Sequence, residues 1–160
     1  MQAAKDSFLM TLTERLVQVN PQRTMTIDGV TRPAIFAMEN EVALPPETVT
    51  DAFRLQWQDA RRALPFDRLM YMDCAISYSS QGTDAMMRTD RGRMVTAMSS
   101  ELLQTCSGRS AAKCDYTQTP AADLGSNIFW SYPLMGTPRE TDGVLEQTAT
   151  VRVYFFPEAA

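Results

Sequence analysis

A chain of 160 residues, 44% apolar and 21% charged, has the size and composition of one globular domain with a core of its own, which excludes a disordered tail. A formal net charge of −4 and a pI near 4.8 exclude a molecule that binds polyanions over its whole surface. No apolar run approaches the roughly 20 residues of a membrane helix, and the opening MQAAKDSF lacks the basic and apolar regions of a signal peptide, so the expectation is a soluble protein made in the cytosol.

Residues Ala3 to Val19 read as an amphipathic helix, with Phe8, Leu9, Leu12, Leu16 and Val19 recurring at three- and four-residue steps. Asn20-Pro21 ends it, because a residue before proline is pushed out of the α region. Thr24 to Ile27 alternates, Asp28-Gly29 is a two-residue hairpin signal, and an extended segment resumes from Val30 through Ile35, Phe36 and Met38. Pro33 suits an edge or a bulge. Glu39 to Asp51, stiffened by Pro45-Pro46, reads as an exposed loop, a length of connection that is often functional.

Phe53, Leu55 and Trp57 alternate with polar residues as a strand with one wet face, and Arg61 to Asp67 reads as a turn. Arg68 to Ser79 is expected to be a central strand, with Met70, Met72, Cys74, Ile76 and Tyr78 on one side and Tyr71, Asp73, Ala75 and Ser77 on the other. Thr83 or Asp84 is the expected cap of a second helix running to about Cys106, with Met87, Met94, Met98 and Leu102 along its stripe and Gly108 beyond its end. Ser107 to Ser126 reads as a loop, with a short edge strand at Lys113 to Thr117 as its alternative. Asn127 to Tyr132 is a strand, and Pro133 to Gly143 connects it to the last one. There, from Leu145 to Pro157, Ala149, Val151, Val153 and Phe155 point one way and Thr148, Thr150, Arg152 and Tyr154 the other. Two helices on one face of a mostly antiparallel sheet, a single α+β domain over residues 1–160, is the architecture this order predicts.

The residues offer little catalytic chemistry. Without histidine there is no His–Ser or His–Cys pair, and no phosphate-binding or calcium loop motif occurs. Cys74, Cys106 and Cys114 lack C-x-x-C spacing; a zinc site would need all three with a carboxylate, whereas Cys74 and Cys106 fit small buried hydrophobes. The expectation is no metal and no cofactor. Ser110 and Lys113 match S-x-x-K, the pattern of a lysine-activated serine, without its companion elements. Glu39 with Glu41, and Asp84 with Asp90, could pair as acid and base or remain solvated charge. Arg88, Arg91 and Arg93 gather where a helix start disfavours positive charge. Asp84 and Asp90, an acidic neighbouring subunit, or DNA phosphate could each offset them.

The stretches AKDSFLMTLTERL, the hairpin followed by FAMENE, RLMYMDCAISYSSQGTD running into DRGRMVTAMSSELL, DLGSNIFWSYP and TATVRVYFFPE resemble, in their order and texture, the tail-terminator and tail-completion proteins of tailed bacteriophages and prophage elements. The resemblance covers nearly the whole chain. It implies an α+β subunit without catalytic residues, made in the host cytoplasm and found in the virion tail or neck. Such subunits form a six-membered ring that caps the tail tube, stops its growth and joins it to the head connector, while DNA passes through the lumen without specific binding. The expected partners are therefore further copies of the chain, the tube protein and the connector, and no membrane. Arg88, Arg91, Arg93, Arg152 and Tyr154 are the expected interface residues. A tail-tube or head-closure adaptor is the alternative of the same class, and a small enzyme using Ser110 and Lys113 the alternative of another.

Overall fold

The computed structural model describes residues 1–41, 49–65 and 67–158. Helix α1 (Gln2–Val19) buries Ala4, Ser7, Phe8, Leu12 and Leu16; of the expected stripe Phe8, Leu12 and Leu16 are buried while Leu9 and Val19 are half-buried, and the chain turns extended at Asn20, before Pro21. Strands β1 (Thr24–Ile27) and β2 (Val30–Pro33) form a hairpin with Ile27 opposite Val30. Asp28 and Gly29 both lie at positive φ, the geometry a two-residue turn needs to match strand twist. The hairpin is a two-stranded sheet of its own. The extended stretch expected to continue beyond it changes partner instead, since β3 (Ile35–Ala37) pairs in parallel with β4 (Phe53–Trp57). Most of the loop expected between Glu39 and Asp51, residues 42–48, lies outside the described residues.

The two-residue strand β5 (Arg61–Arg62), where a turn was expected, pairs with Tyr71 and Met70 at the start of the long strand β6 (Met70–Ser80). Helix α2 (Arg91–Thr105) begins six residues later than a cap at Asp84 would have it, with Asp90 in the cap position. A single 3₁₀ turn (Asp84–Met86) and two left-handed residues, Met87 and Arg88, precede it. The helix is delayed because Asp90 satisfies the loop: its carboxylate accepts the Thr83 N–H and hydroxyl, each at 2.8 Å, so a side chain closes the turn that helical backbone would otherwise make.

Residues 107–126 are not a loop. Strands β7 (Ser110–Asp115) and β8 (Ala122–Trp130) make a hairpin there, and the expected 127–132 strand is its second half. The Ser/Ala-rich segment has weak strand preference of its own. It is held by α1, whose Ser7 hydroxyl accepts the Cys114 N–H at 2.9 Å. The 133–143 connection likewise carries two short strands, β9 (Leu134–Met135) and β10 (Arg139–Thr141), both paired with β11 (Val144–Phe155).

The main sheet runs β3-β4-β6-β11-β8-β7, with β5 attached to β6 and β9 and β10 to β11. It is a curled, mostly antiparallel half-barrel with one parallel pair, and both helices pack on the same face. The fold is α+β, as the order of elements predicted. Its centre is the ladder of eleven residue pairs between β6 and β11, from Met70↔Phe155 to Ser80↔Leu145. Alternate residues of both strands, Met72, Cys74, Ile76, Ala149, Val151, Val153 and Phe155, are fully buried beneath the helices. Phe8 of α1 wedges edge-on between Trp57 and Trp130, with centroids 5.5 and 5.3 Å away, and Trp130 donates its indole N–H to the Cys106 carbonyl at 2.8 Å. Burial raises the Cys74 thiol well above its usual range and pushes Cys106 up to about 12, so both are protonated packing groups.

This facing has a direct consequence for stability. Val153→Asp places an unpaired carboxylate beneath the helices and is expected to cost about 3 kcal/mol or more. Thr150→Asp, on the opposite face of the same strand, should cost less than about 1 kcal/mol. Thermal melting of the two variants side by side checks the assignment; equal losses would contradict it.

Candidate functional site

With both helices on one side, the other face of the sheet presents its own side chains. Antiparallel partners point to the same side of a sheet, so the registers align Ser110, Phe129, Tyr154, Tyr71 and Arg61 in one row across β7, β8, β11, β6 and β5. Tyr154 stacks on Phe129 at 5.4 Å with rings 10° apart and meets Tyr71 at 6.1 Å. In the next row Arg152 forks onto Asp73 with bonds of 2.8 and 3.0 Å and lies 4.0 Å above the Tyr71 ring. The hydrogen bond to Asp73 raises the guanidinium's already high pKa further. These groups line an open recess of about 380 Å³ with Gln58, Asp59 and Arg61. Farther along the face come Ala75 and Thr150, then Ser77 bonded to Thr148 at 2.9 Å. Leu134, 76% exposed, lies opposite Thr150, and Tyr132, 70% exposed, sits beneath Arg109 at 4.1 Å.

Arg152 and Tyr154 are thus adjacent on this face, whereas Arg88, Arg91 and Arg93 lie at the far end of β11, beside the turn that leads into it. Arg91 donates to Glu140 and to the Gly143 carbonyl, at 3.1 and 2.8 Å. Arg88 is outside the helix and pairs with Asp84 at 2.7 Å. Asp90, the residue before the first helical turn, is held below the usual carboxylate range by its bonds from Thr83 and by Arg93. The expected cluster is therefore partly neutralised by its own acids. Positive φ at two consecutive residues other than glycine costs about 1–3 kcal/mol each, and it leaves Met87, expected in the helical stripe, 84% exposed.

The other candidates are dispersed. Ser110 and Lys113 lie three residues apart along a strand, about 10 Å at strand rise. Ser110 is exposed, while the buried Lys113 ammonium bonds the Phe156 carbonyl and pairs with Glu158 at 2.9 Å. Glu39 pairs with Lys5 and Glu41 with Arg32, so neither acidic pair converges on a shared site. Among the described residues no group of three or more cysteines and acids is placed to hold a metal, and no helix is long and apolar enough to cross a membrane. Tyr71, Asp73 and Phe129 complete the open-face site. Their facing was readable from alternation; their meeting with Arg152 and Tyr154 required the register between strands far apart in sequence. No family model matches the chain, and no curated protein sequence does.

The Lys113–Glu158 pair makes an acid-side prediction. The hydrogen bond from Lys113, the largest cause, holds the Glu158 carboxyl down at about 2 from an ordinary 4.5. A depressed folded-state pKa contributes stability that is complete above about pH 4.5 and is lost as pH falls toward 2. Glu158→Gln should lower the melting temperature at neutral pH by leaving the buried lysine without its carboxylate. It should also flatten the loss of stability between those pH values. Melting curves over that range, compared with the unaltered chain, measure both effects.

Proposed function

We propose that the chain is a structural subunit of a phage or prophage-derived tail, of the terminator kind. In this reading it joins its own copies in a ring, expected to hold six, at the end of the tail tube. There it stops elongation and joins the tube to the head connector, with DNA passing through the lumen. The observation that carries the reading is the division of surfaces: both helices are spent on one face of the sheet, leaving an arginine- and aromatic-rich face and a separate hairpin outside the core. Arginine, tyrosine and other aromatics are the residues that anchor protein interfaces, and the order of elements around them resembles terminator subunits. The reading requires no catalytic step, and none is assigned.

Particles assembled without this protein should have tails of uncontrolled length, or tails that never join heads, when viewed by electron microscopy. Tails of uniform length attached to filled heads would refute the terminator role. Arg91→Glu with Arg93→Glu should weaken ring closure or tube capping while the purified chain still melts cooperatively: the exposed Arg93 is worth about 0–1 kcal/mol to the monomer, and loss of the Arg91 bonds to Glu140 and Gly143 about 1–3 kcal/mol more.

A further inference from the structure

The hairpin joining β5 to β6 carries Arg61, Arg62 and Arg68 within eight residues. All three are exposed, and none makes an ion pair among the described residues. Two acids flank them: Asp59 is exposed, and Asp67 accepts the Leu69 N–H at 3.2 Å. Leu64, at the turn, is 59% exposed, so the hairpin presents guanidinium groups beside an apolar contact. Taking these three positive charges away from a net −4 leaves −7 on the rest of the chain, which makes a second copy an acidic partner. Like charges repel across a two-fold axis, which disfavours docking of the hairpin on its own copy and favours a different, acidic surface.

Such a surface lies at the opposite edge of the sheet. β11 occupies one side of β6, so β5 lies on the other, toward β4. β7 ends the sheet beyond β8. At that edge Asp6 and Glu14 of α1 stand beside the β7–β8 hairpin with its Asp115 and Asp123. The Tyr116 phenol there is pushed up by burial, and the carboxylates of Glu14 and Asp6 add to the shift. The neighbouring cations are turned away. Lys5 reaches Glu39, Arg15 donates to the Thr105, Ser107 and Ser110 carbonyls, and Lys113 is buried on Glu158. Tyr116 and Leu124 are partly exposed between the acids, a match for Leu64.

We infer that the β5–β6 arginine hairpin docks head to tail on the acidic α1–β7–β8 edge of a second copy of this chain. The inference rests on the ring reading above and names the contact that would close it. Repeated head-to-tail contacts close into rings when the rotation permits, and otherwise run on as filaments.

Analytical ultracentrifugation and native mass spectrometry of the full chain test it. Arg61→Glu with Arg62→Glu should weaken self-association at least about tenfold, and Asp6→Arg with Glu14→Arg should do the same, while all four together should restore it. Melting curves verify that each variant is folded; if the arginine reversal is not, Arg62→Gln with Arg68→Gln replaces it, with a loss in the same direction expected. Variants that assemble as the unaltered chain does would overturn this contact and leave the ring reading standing. A two-fold dimer insensitive to these changes would also overturn the contact. An unaltered chain that is monomeric at every concentration would overturn both.

Discussion

The pairing of β6 with β11 is the constraint on which the rest of the molecule depends. The eleven pairs lock two strands about seventy residues apart into one register, and a slip of one residue would exchange their buried and exposed faces. That register places Met72, Cys74 and Ile76 beside Val153, Val151 and Ala149 in one apolar layer. Phe8 and the helix stripes settle onto this layer. The buried side is not wholly apolar: the Tyr78 hydroxyl and Ser99 hydroxyl lie 2.6 Å apart, Ser99 donates to Gln147 at 2.9 Å, and Gln147 donates to the Gly136 carbonyl at 2.7 Å. This relay ties β6, α2 and β11 together while giving each partly buried polar group a partner.

The same register builds the open face. Asp73 lies directly opposite Arg152 and Tyr71 opposite Tyr154, so charge and ring pairs form without distortion of the strands. Rings that stack on one another have spent their faces. The row therefore presents ring edges, a phenol and guanidinium groups outward, a composition suited to protein contact better than to the stacking of nucleic-acid bases. At the other end of β11 the loop before α2 holds its shape by hydrogen bonding to itself. A Cβ at Gly82 would come within 2.7 Å of Asp90 Oδ1 and 3.0 Å of the Arg88 backbone, at a φ of +75° that already favours glycine.

Elements with an uninterrupted period were legible in the sequence. The stripe of α1, the Asp28-Gly29 turn and the alternation of β6 and β11 each follow from local residues and reappear with nearly the expected bounds. Elements made by distant partners were not. The β7 segment SAAKCD has small and polar residues in no useful alternation, and it buries a lysine because Phe156 and Glu158 arrive to meet it. The spacing of Met87, Met94 and Met98 fits a helix, yet the Thr83–Asp90 bonds break it before Met94. For the site, Arg152 and Tyr154 were legible as outward residues. Their partners Tyr71 and Asp73 could be placed on a face but not beside them, because pairing register is a property of two strands together.

The outer strand β7 would ordinarily offer a ladder of unpaired backbone groups to any passing strand. Here Lys113 points inward from that strand, and the register with β8 shifts between Ala112↔Asn127 and Cys114↔Asp123, around Gly125. An inward charge and an irregular register are two of the devices by which sheets resist fusing edge to edge. This edge of the half-barrel is thereby guarded against extension by another strand. Copies brought together at this edge would meet through side chains, in a contact that can be made, tuned and undone without extending the sheet.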